Sequence, residues 1–215
     1  MGYFPVYLDL RGRSCVVIGG GREAEEKAER MVVDGARVTV VWWGQSEPFE
    51  RMAAEGLIDF RRRHYESGDL HGAFLALAAT TGDLPLSEAI SEEAAREGVL
   101  LNVVDVTRLC TWIYPAIVRR GDVTVAISTN GRSPAMAKRL RLDIEDALPP
   151  VYGPLLDLLA EVRVELSARG VRPPAEAWQR AITGQLLQWL EAGDLAAARE
   201  WIADYLAGAA RSAAG

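Results

Sequence analysis

The run Gly19-Gly20-Gly21-Arg22-Glu23-Ala24 combines the residue types that can hold a dinucleotide pyrophosphate. Phosphate oxygens need backbone N–H donors at close range, a positive field, and no Cβ in the way. Gly19 permits the tight turn, Gly21 lets N–H groups approach the phosphates, and small Ala24 lets a strand and helix pack closely. The helical pattern from Ala24 to Val33 offers unpaired N–H groups and the positive end of its dipole. The apolar run Ser14-Cys15-Val16-Val17-Ile18 precedes the glycines, and Arg37-Val-Thr-Val-Val41 follows Gly35, as a βαβ unit requires.

Other strand ends carry further chemistry. In an open parallel sheet, ligands gather beyond the carboxyl ends of the strands. Four such ends are expected at Gly19–Glu23, Trp42–Gly44, Thr80–Asp83 and Asp105–Thr107. Cofactor contacts are expected from Gly19, Gly20, Gly21, Arg22, Glu23, Trp43, Gly44, Thr80 and Thr81. The second end has Trp42-Trp43-Gly44 where an acid usually binds the ribose, and no Arg or Lys stands there for a 2′-phosphate; this favours NAD over NADP. The tryptophans either stack on adenine or cover the sheet end. Asp105, ending Leu100-Leu-Asn-Val-Val-Asp, is either a general base desolvated in the crevice or a turn or cap aspartate. Asn102 reads as a structural hydrogen-bonding residue, and His64 and His71 as solvated.

Between Ile117 and Arg141 the bases Arg119, Arg120, Arg132, Lys138, Arg139 and Arg141 face one acid, Asp122, although the chain's net charge is -6. Such a stretch suits an anionic small molecule, or is ordinary helix-surface charge. Ser128-Thr129-Asn130-Gly131-Arg132-Ser133-Pro134 supplies hydroxyls and N–H groups that either bind ligand carboxylates or simply cap the next helix. Ser128, Asn130, Arg119, Arg120 and Arg132 are the substrate-binding candidates.

The elements that must position these residues alternate along the chain. Strands are expected at Val6–Leu10, Cys15–Ile18, Val38–Trp42, Ile58–Arg62, Phe74–Ala79 and Leu100–Val104, with helices at Ala24–Val33, Phe49–Glu55 and Ser87–Glu97. Strands apolar throughout and alternating with helices indicate a parallel sheet covered on both faces, a Rossmann-like α/β domain. Residues 1–113 form this nucleotide-binding domain, residues 114–150 a β/α dimerisation segment, and residues 151–215 a helical domain. In the middle segment Ile117-Val118 and Val123–Ser128 read as a hairpin or a sharp strand connection, followed by a helix capped by Ser133. Its small core predicts a homodimer. Helices follow at Val151–Ala168, Ala175–Ala192 and Leu195–Ala207, with a frayed end from Ala209.

Composition sets limits. The 215 residues suffice for a real core. No apolar run reaches the roughly 18 residues of a membrane span, and Met1-Gly-Tyr-Phe-Pro lacks signal-peptide character. The acidic balance argues against a nucleic-acid partner. Cys15 and Cys110 have neither metal nor redox spacing, which fits a reducing cytoplasm.

Several motifs occur in a telling order: Pro5-Val-Tyr-Leu-Asp-Leu, Val-Ile-Gly19-Gly20-Gly21 with Ala24 and Lys27, Asn102-Val-Val-Asp105, Pro115-Ala-Ile-Val-Arg-Arg-Gly121, and Ala-Ile-Ser128-Thr-Asn-Gly-Arg-Ser133-Pro134. Over residues 3–150 the chain resembles the precorrin-2 dehydrogenases, the dehydrogenase–ferrochelatase half of sirohaem synthases, in stand-alone form. The resemblance implies NAD-dependent oxidation of precorrin-2 to sirohydrochlorin and, in some members, insertion of ferrous iron. It maps the family aspartate onto Asp105 and the substrate-loop serine onto Ser128, and implies dimerisation through the middle segment. The chain departs from the family at Val106, Asn130-Gly131, Thr80-Thr81-Gly82-Asp83 and Trp42-Trp43. The same fold would serve an NAD(H)-binding sensor without catalysis, which would bind nucleotide, ignore tetrapyrroles and tolerate loss of Asp105.

Overall fold

β1 (Ser14–Gly19) has no polar face: Cys15, Val16, Val17 and Ile18 are all buried. Such a strand must lie inside a sheet covered on both sides. The computed structural model describes residues 2–214. With β2 (Arg37–Val41), β3 (Ile58–Arg61), β4 (Leu75–Ala79) and β5 (Leu100–Val103), β1 forms a parallel sheet of order β3-β2-β1-β4-β5. Strand order reverses at β1, whose neighbours are β2 and β4, and this is where such sheets open a crevice.

The period-2 alternation of β1 feeds two separate cores. Cys15 and Val17 pack with Ala24, Ala28 and Met31 of α1 (Arg22–Val33) and with Phe49 and Met52 of α2 (Glu47–Ala54). Val16 and Ile18 pack on the opposite face with Ile90 and Ala94 of α3 (Leu84–Glu97). Local chemistry sets the helix starts. Ser46 caps α2 by accepting the Phe49 N–H at 3.2 Å while donating to Glu25 at 2.6 Å, and Asp83 caps α3 by accepting from Leu86 N–H.

Beyond Tyr114 a second compact unit begins. It comprises Pro115–Thr129 and the chain from Ser133 onward, while Asn130–Arg132 clusters with the first unit. In it β6 (Ala116–Arg120) and β7 (Val123–Ile127) form an antiparallel hairpin, as the Arg-Arg-Gly-Asp connection suggested. α4 (Pro134–Ala147) starts at Ser133, whose hydroxyl accepts the Met136 N–H. α5 (Tyr152–Ala168), α6 (Ala175–Ala181), α7 (Gly184–Glu191) and α8 (Leu195–Ala214) share one core built on Leu155, Val162, Leu166, Leu186, Ile202 and Leu206.

Three sequence expectations are corrected. Val6–Leu10 is not a strand; Val6 and Tyr7 are exposed, and no strand pairs with the segment. Apolar alternation without a partner edge does not make a strand. The helix expected over Ala175–Ala192 is two helices, because Thr183 is extended and its hydroxyl accepts the Leu186 N–H to start α7. The last helix continues through Ala214 instead of fraying from Ala209, and Gly215 lies outside the described residues.

A buried carboxylate fixes the loop between β3 and β4. Glu93 of α3 is only 2% exposed. It accepts the Tyr65 hydroxyl, the Gly68 N–H at 3.0 Å and the Leu70 N–H at 2.8 Å. Burial pushes its carboxyl upward, but these donors and the Ser67 hydroxyl outweigh that and hold it below the ordinary glutamate value. A lowered folded-state pKa stabilises the fold above the unfolded value and loses that contribution as pH falls through the folded one. Denaturant unfolding across a pH series should therefore show stability falling as pH drops below about 4.3, with a flatter profile for Glu93→Gln. Glu93→Ala should cost about 3 kcal/mol at neutral pH, since it orphans buried donors; an unchanged midpoint would refute this role.

Candidate functional site

The turn after β1 is built by steric necessity. A Cβ at Gly19 would stand 2.1 Å from the Ala79 carbonyl oxygen of β4, and φ there is +99°. Gly21 is the N-cap residue of α1, with φ +88° and no side-chain cap. The first intrahelical bond runs from the Glu25 N–H to the Gly21 carbonyl at 3.1 Å. The N–H groups before it thus have no partner inside the helix. They sit with the positive end of the dipole, on a backbone that Gly21 leaves uncovered: a Cβ there would meet nothing within 4 Å.

A cleft of about 450 Å³ opens over this turn. Its lining includes Gly19, Gly20 and Gly21, then Trp42 and Trp43 after β2, Arg63, His64 and Tyr65 after β3, and Thr80, Thr81 and Asp83 after β4. Thr80 Oγ1 lies 2.7 Å from the buried Ser87 Oγ, which also donates to the Asp83 carbonyl. Thr81 adopts φ +31°. Of the expected cofactor residues, Gly19, Gly20, Gly21, Trp43, Thr80 and Thr81 line the cleft, whereas Arg22, Glu23 and Gly44 are outside its lining.

The two tryptophans after β2 stand in different surroundings. Trp42 covers the sheet end: its ring meets Phe49 edge-on at 6.3 Å and fills the space over Gly20 and Gly44. Trp43 is 62% exposed and stacks on His64, with centroids 5.4 Å apart and planes 24° from parallel. His64, expected to be merely solvated, is thereby part of the cleft wall. Arg63, His64 and Tyr65 have no motif of their own; only the in-register pairing of β2 with β3 brings them beside Trp43.

Of the two readings of Asp105, its position is that of the turn aspartate. β5 ends at Val103, and Asp105 falls in the following turn, closed by the Val106 N–H bond to the Val103 carbonyl at 3.2 Å. Its φ is +60°, a region that aspartate tolerates better than most residues. Its side chain is exposed and outside the cleft lining, so the desolvation expected of it is not supplied by this unit. The turn has company, however. Gly131 packs against Thr107, where a Cβ would lie 3.2 Å from Cγ2, so Asn130–Arg132 lies against the segment following Asp105. The Asn130 carboxamide accepts the Tyr3 N–H at 3.4 Å. Asn102 is structural as expected, donating to the Trp112 carbonyl at 3.0 Å.

The candidates of the second unit differ in availability. Ser128 is exposed at the end of β7. Arg119 is half-buried and donates to Thr124. Arg120 is committed to α4: it donates to the Leu148 carbonyl at 2.9 Å and the Glu145 carbonyl at 3.1 Å, capping the helix end. Arg139 and Arg141 pair with Asp143 and Glu145 along α4. Cys15 is buried, which pushes its thiol up to about 11, and burial also raises Cys110.

A parallel sheet of this order, with a glycine turn at the switch point and a cleft over an uncapped helix start, defines a Rossmann-type dinucleotide-binding protein. The comparisons agree. A family described as "Putative NAD(P)-binding" matches residues 6–116, and one described as "Sirohaem biosynthesis protein central" matches residues 120–147. The chain belongs to that NAD(P)-binding family. It is 36% identical over 217 residues to a siroheme synthase of Stutzerimonas stutzeri, covering 100% of this chain and 46% of that protein. It is 37% identical over 186 residues to one of Methylococcus capsulatus, covering 86% and 39%. The chain thus spans less than half the length of these curated relatives. The solved structure of SirC, precorrin-2 dehydrogenase, superposes with a TM-score of 0.76 at 26% identity, covering 94% of this chain and 98% of that one.

The crowding of Trp42 on Gly20 is directly testable. A Cβ at Gly20 would stand 2.4 Å from the Trp42 ring, so Gly20→Ala should destabilise the protein by about 2 kcal/mol. Combining it with Trp42→Leu should recover at least about 1 kcal/mol of that cost in a double-mutant cycle read by thermal or urea unfolding. Additive losses would mean that the ring is not what Gly20 accommodates.

Proposed function

We propose that this chain is an NAD-dependent precorrin-2 dehydrogenase of sirohaem biosynthesis, forming sirohydrochlorin. The observation that carries the reading is the end-to-end likeness to a solved precorrin-2 dehydrogenase, which leaves almost nothing of either chain unmatched. The siroheme synthase relatives and the central-segment match support the same pathway.

The residues present fit a nicotinamide dinucleotide. The uncapped start of α1 and the bare backbone at Gly21 suit a pyrophosphate, and the exposed face of Trp43 suits a purine. Gly19, Gly20, Gly21, Thr80 and Thr81 complete the proposed cofactor set. NAD, when bound, supplies the hydride acceptor. The chain supplies position and a base. Asp105 is assigned as the acceptor of the proton that must leave precorrin-2 as its conjugation extends.

Precorrin-2 is a polycarboxylate, and exposed donors on the Ser128–Arg132 loop suit it. Asn130 and Arg132 lie against the segment after Asp105, and Ser128 and Arg119 are further candidates. Arg120 is left out of this set, since its guanidinium is engaged by the end of α4. The reading includes a homodimer: α4 has no fully buried residue, and Met136 and Leu142 are exposed on it. It also includes a cytoplasmic location, consistent with two free thiols. No described helix is long and apolar enough to cross a membrane.

The test is anaerobic incubation with enzymatically generated precorrin-2, with and without NAD, followed by absorbance. NAD-dependent appearance of sirohydrochlorin is expected; unchanged precorrin-2 would refute the reading. Asp105→Asn keeps the left-handed turn accessible while removing the base. It should lower kcat about a hundredfold or more, with KM for NAD within about twofold. Unchanged kcat would remove Asp105 from the mechanism.

A further inference from the structure

The cleft lacks, at the end of β2, both groups that ordinarily tell the two nicotinamide dinucleotides apart. There is no acid for a ribose 2′-hydroxyl and no base for a 2′-phosphate, only Trp42-Trp43-Gly44. The neighbouring strand brings a cation instead. Arg63 lines the cleft two residues beyond β3, and the Trp43–His64 stack fixes that segment beside the end of β2. A free guanidinium here would be well suited to a 2′-phosphate.

This guanidinium is not free. Arg63 Nη1 donates to Asp69 Oδ2 at 2.8 Å, and Nη2 donates to Asp69 Oδ1, forming a bidentate pair. Nη1 also donates to the His64 carbonyl at 2.8 Å, and the Glu66 carboxylate lies 3.9 Å away. The Asp69 side chain is 5% exposed, accepts the Glu66 N–H at 2.9 Å, and lies 3.8 Å from Arg61. Burial pushes the Asp69 carboxyl upward, but the Arg63 bonds, the Glu66 N–H and the nearby guanidinium charges hold it below its usual range. A 2′-phosphate entering this corner would meet the Asp69 and Glu66 carboxylates. Taking Arg63 for itself would leave Asp69 buried without its main partner.

We propose that Asp69 sets the nucleotide preference of this cleft. By holding Arg63 in a bidentate pair, it withholds the cation that a 2′-phosphate needs and so selects NAD over NADP. Asp69 acts through Arg63 and is a positioning residue. The proposal rests on the reading of the cleft as a nicotinamide-dinucleotide site.

The experiment is calorimetric titration of NAD and NADP into the purified full chain, alongside Asp69→Asn, Arg63→Gln and the double variant, each checked by circular dichroism. Wild type should favour NAD. Asp69→Asn should tighten NADP about tenfold or more, with NAD affinity within about twofold, and the gain should vanish in the double variant. A gain that persists without Arg63, or a folded Asp69→Asn protein with an unchanged NADP-to-NAD ratio, would overturn the proposal. Arg63→Gln in the wild-type background tests it independently of whether Asp69→Asn folds. NADP binding should then be unaffected, and a selective loss of NADP affinity would mean that Arg63 already serves the phosphate. Wild type binding neither dinucleotide would overturn the cleft reading itself, whereas tight binding of both would overturn only the role of Asp69.

Discussion

At Gly19 the end of β1 passes so close to β4 that any side chain would collide with the Ala79 carbonyl. That contact lets the central strand run flush to the edge of the sheet before the chain turns into α1. The same turn puts the uncapped helix start and the bare Gly21 backbone at the switch point, where a parallel sheet opens. Gly20 then admits the Trp42 ring, which closes the end of β2 and joins the core around Phe49. The cleft floor is therefore a consequence of packing: one missing Cβ admits β4, the next admits a tryptophan, and the third leaves N–H groups accessible.

The far wall of the cleft is held differently. The segment from Arg63 to Leu70 has no regular structure, and two carboxylates organise it. Glu93 reaches from α3 to Tyr65, Gly68 and Leu70, while Asp69 ties Arg63 to its own loop. Buried carboxylates of this kind cost desolvation and are tolerated because several donors converge on each. Their effect is to hold the residues facing Trp43 in fixed places. A loop closed only by apolar contacts could not aim a guanidinium or an imidazole so specifically.

The fold was legible because its signals are local. Apolar strands, glycine turns, and the Ser133-Pro134 cap each report on their own neighbourhood, and a parallel sheet, though not its strand order, followed from alternation. The failures are equally physical. Val6–Leu10 has the right residues for a strand and no edge to pair with. Thr183 cuts a helical pattern because its hydroxyl serves the next helix start, a choice that helical periodicity does not reveal. In the site, the glycines and the Thr80-Thr81 turn could be read from their places at strand ends. Arg63, His64 and Tyr65 could not, because what makes them cleft residues is the lateral pairing of β3 with β2. Asp105 shows the limit from the other side: its motif was recognisable, but the turn that exposes it depends on where β5 stops.

Within the basic stretch several cations are already committed to partners of their own. Arg120 neutralises the carbonyl end of α4, and Arg139 and Arg141 pair with acids one turn away on the same helix. Those cations serve the helix, and their charge is largely balanced within a few ångströms. Charge on the loop behaves differently. Arg132 is exposed, follows the left-handed Asn130 and Gly131, and has no helical turn of acids beside it. Because Gly131 packs on Thr107, the loop is also tied to the turn that presents Asp105. The exposed donors of this loop and the Asp105 carboxylate therefore stand on adjacent segments that no sequence window places together.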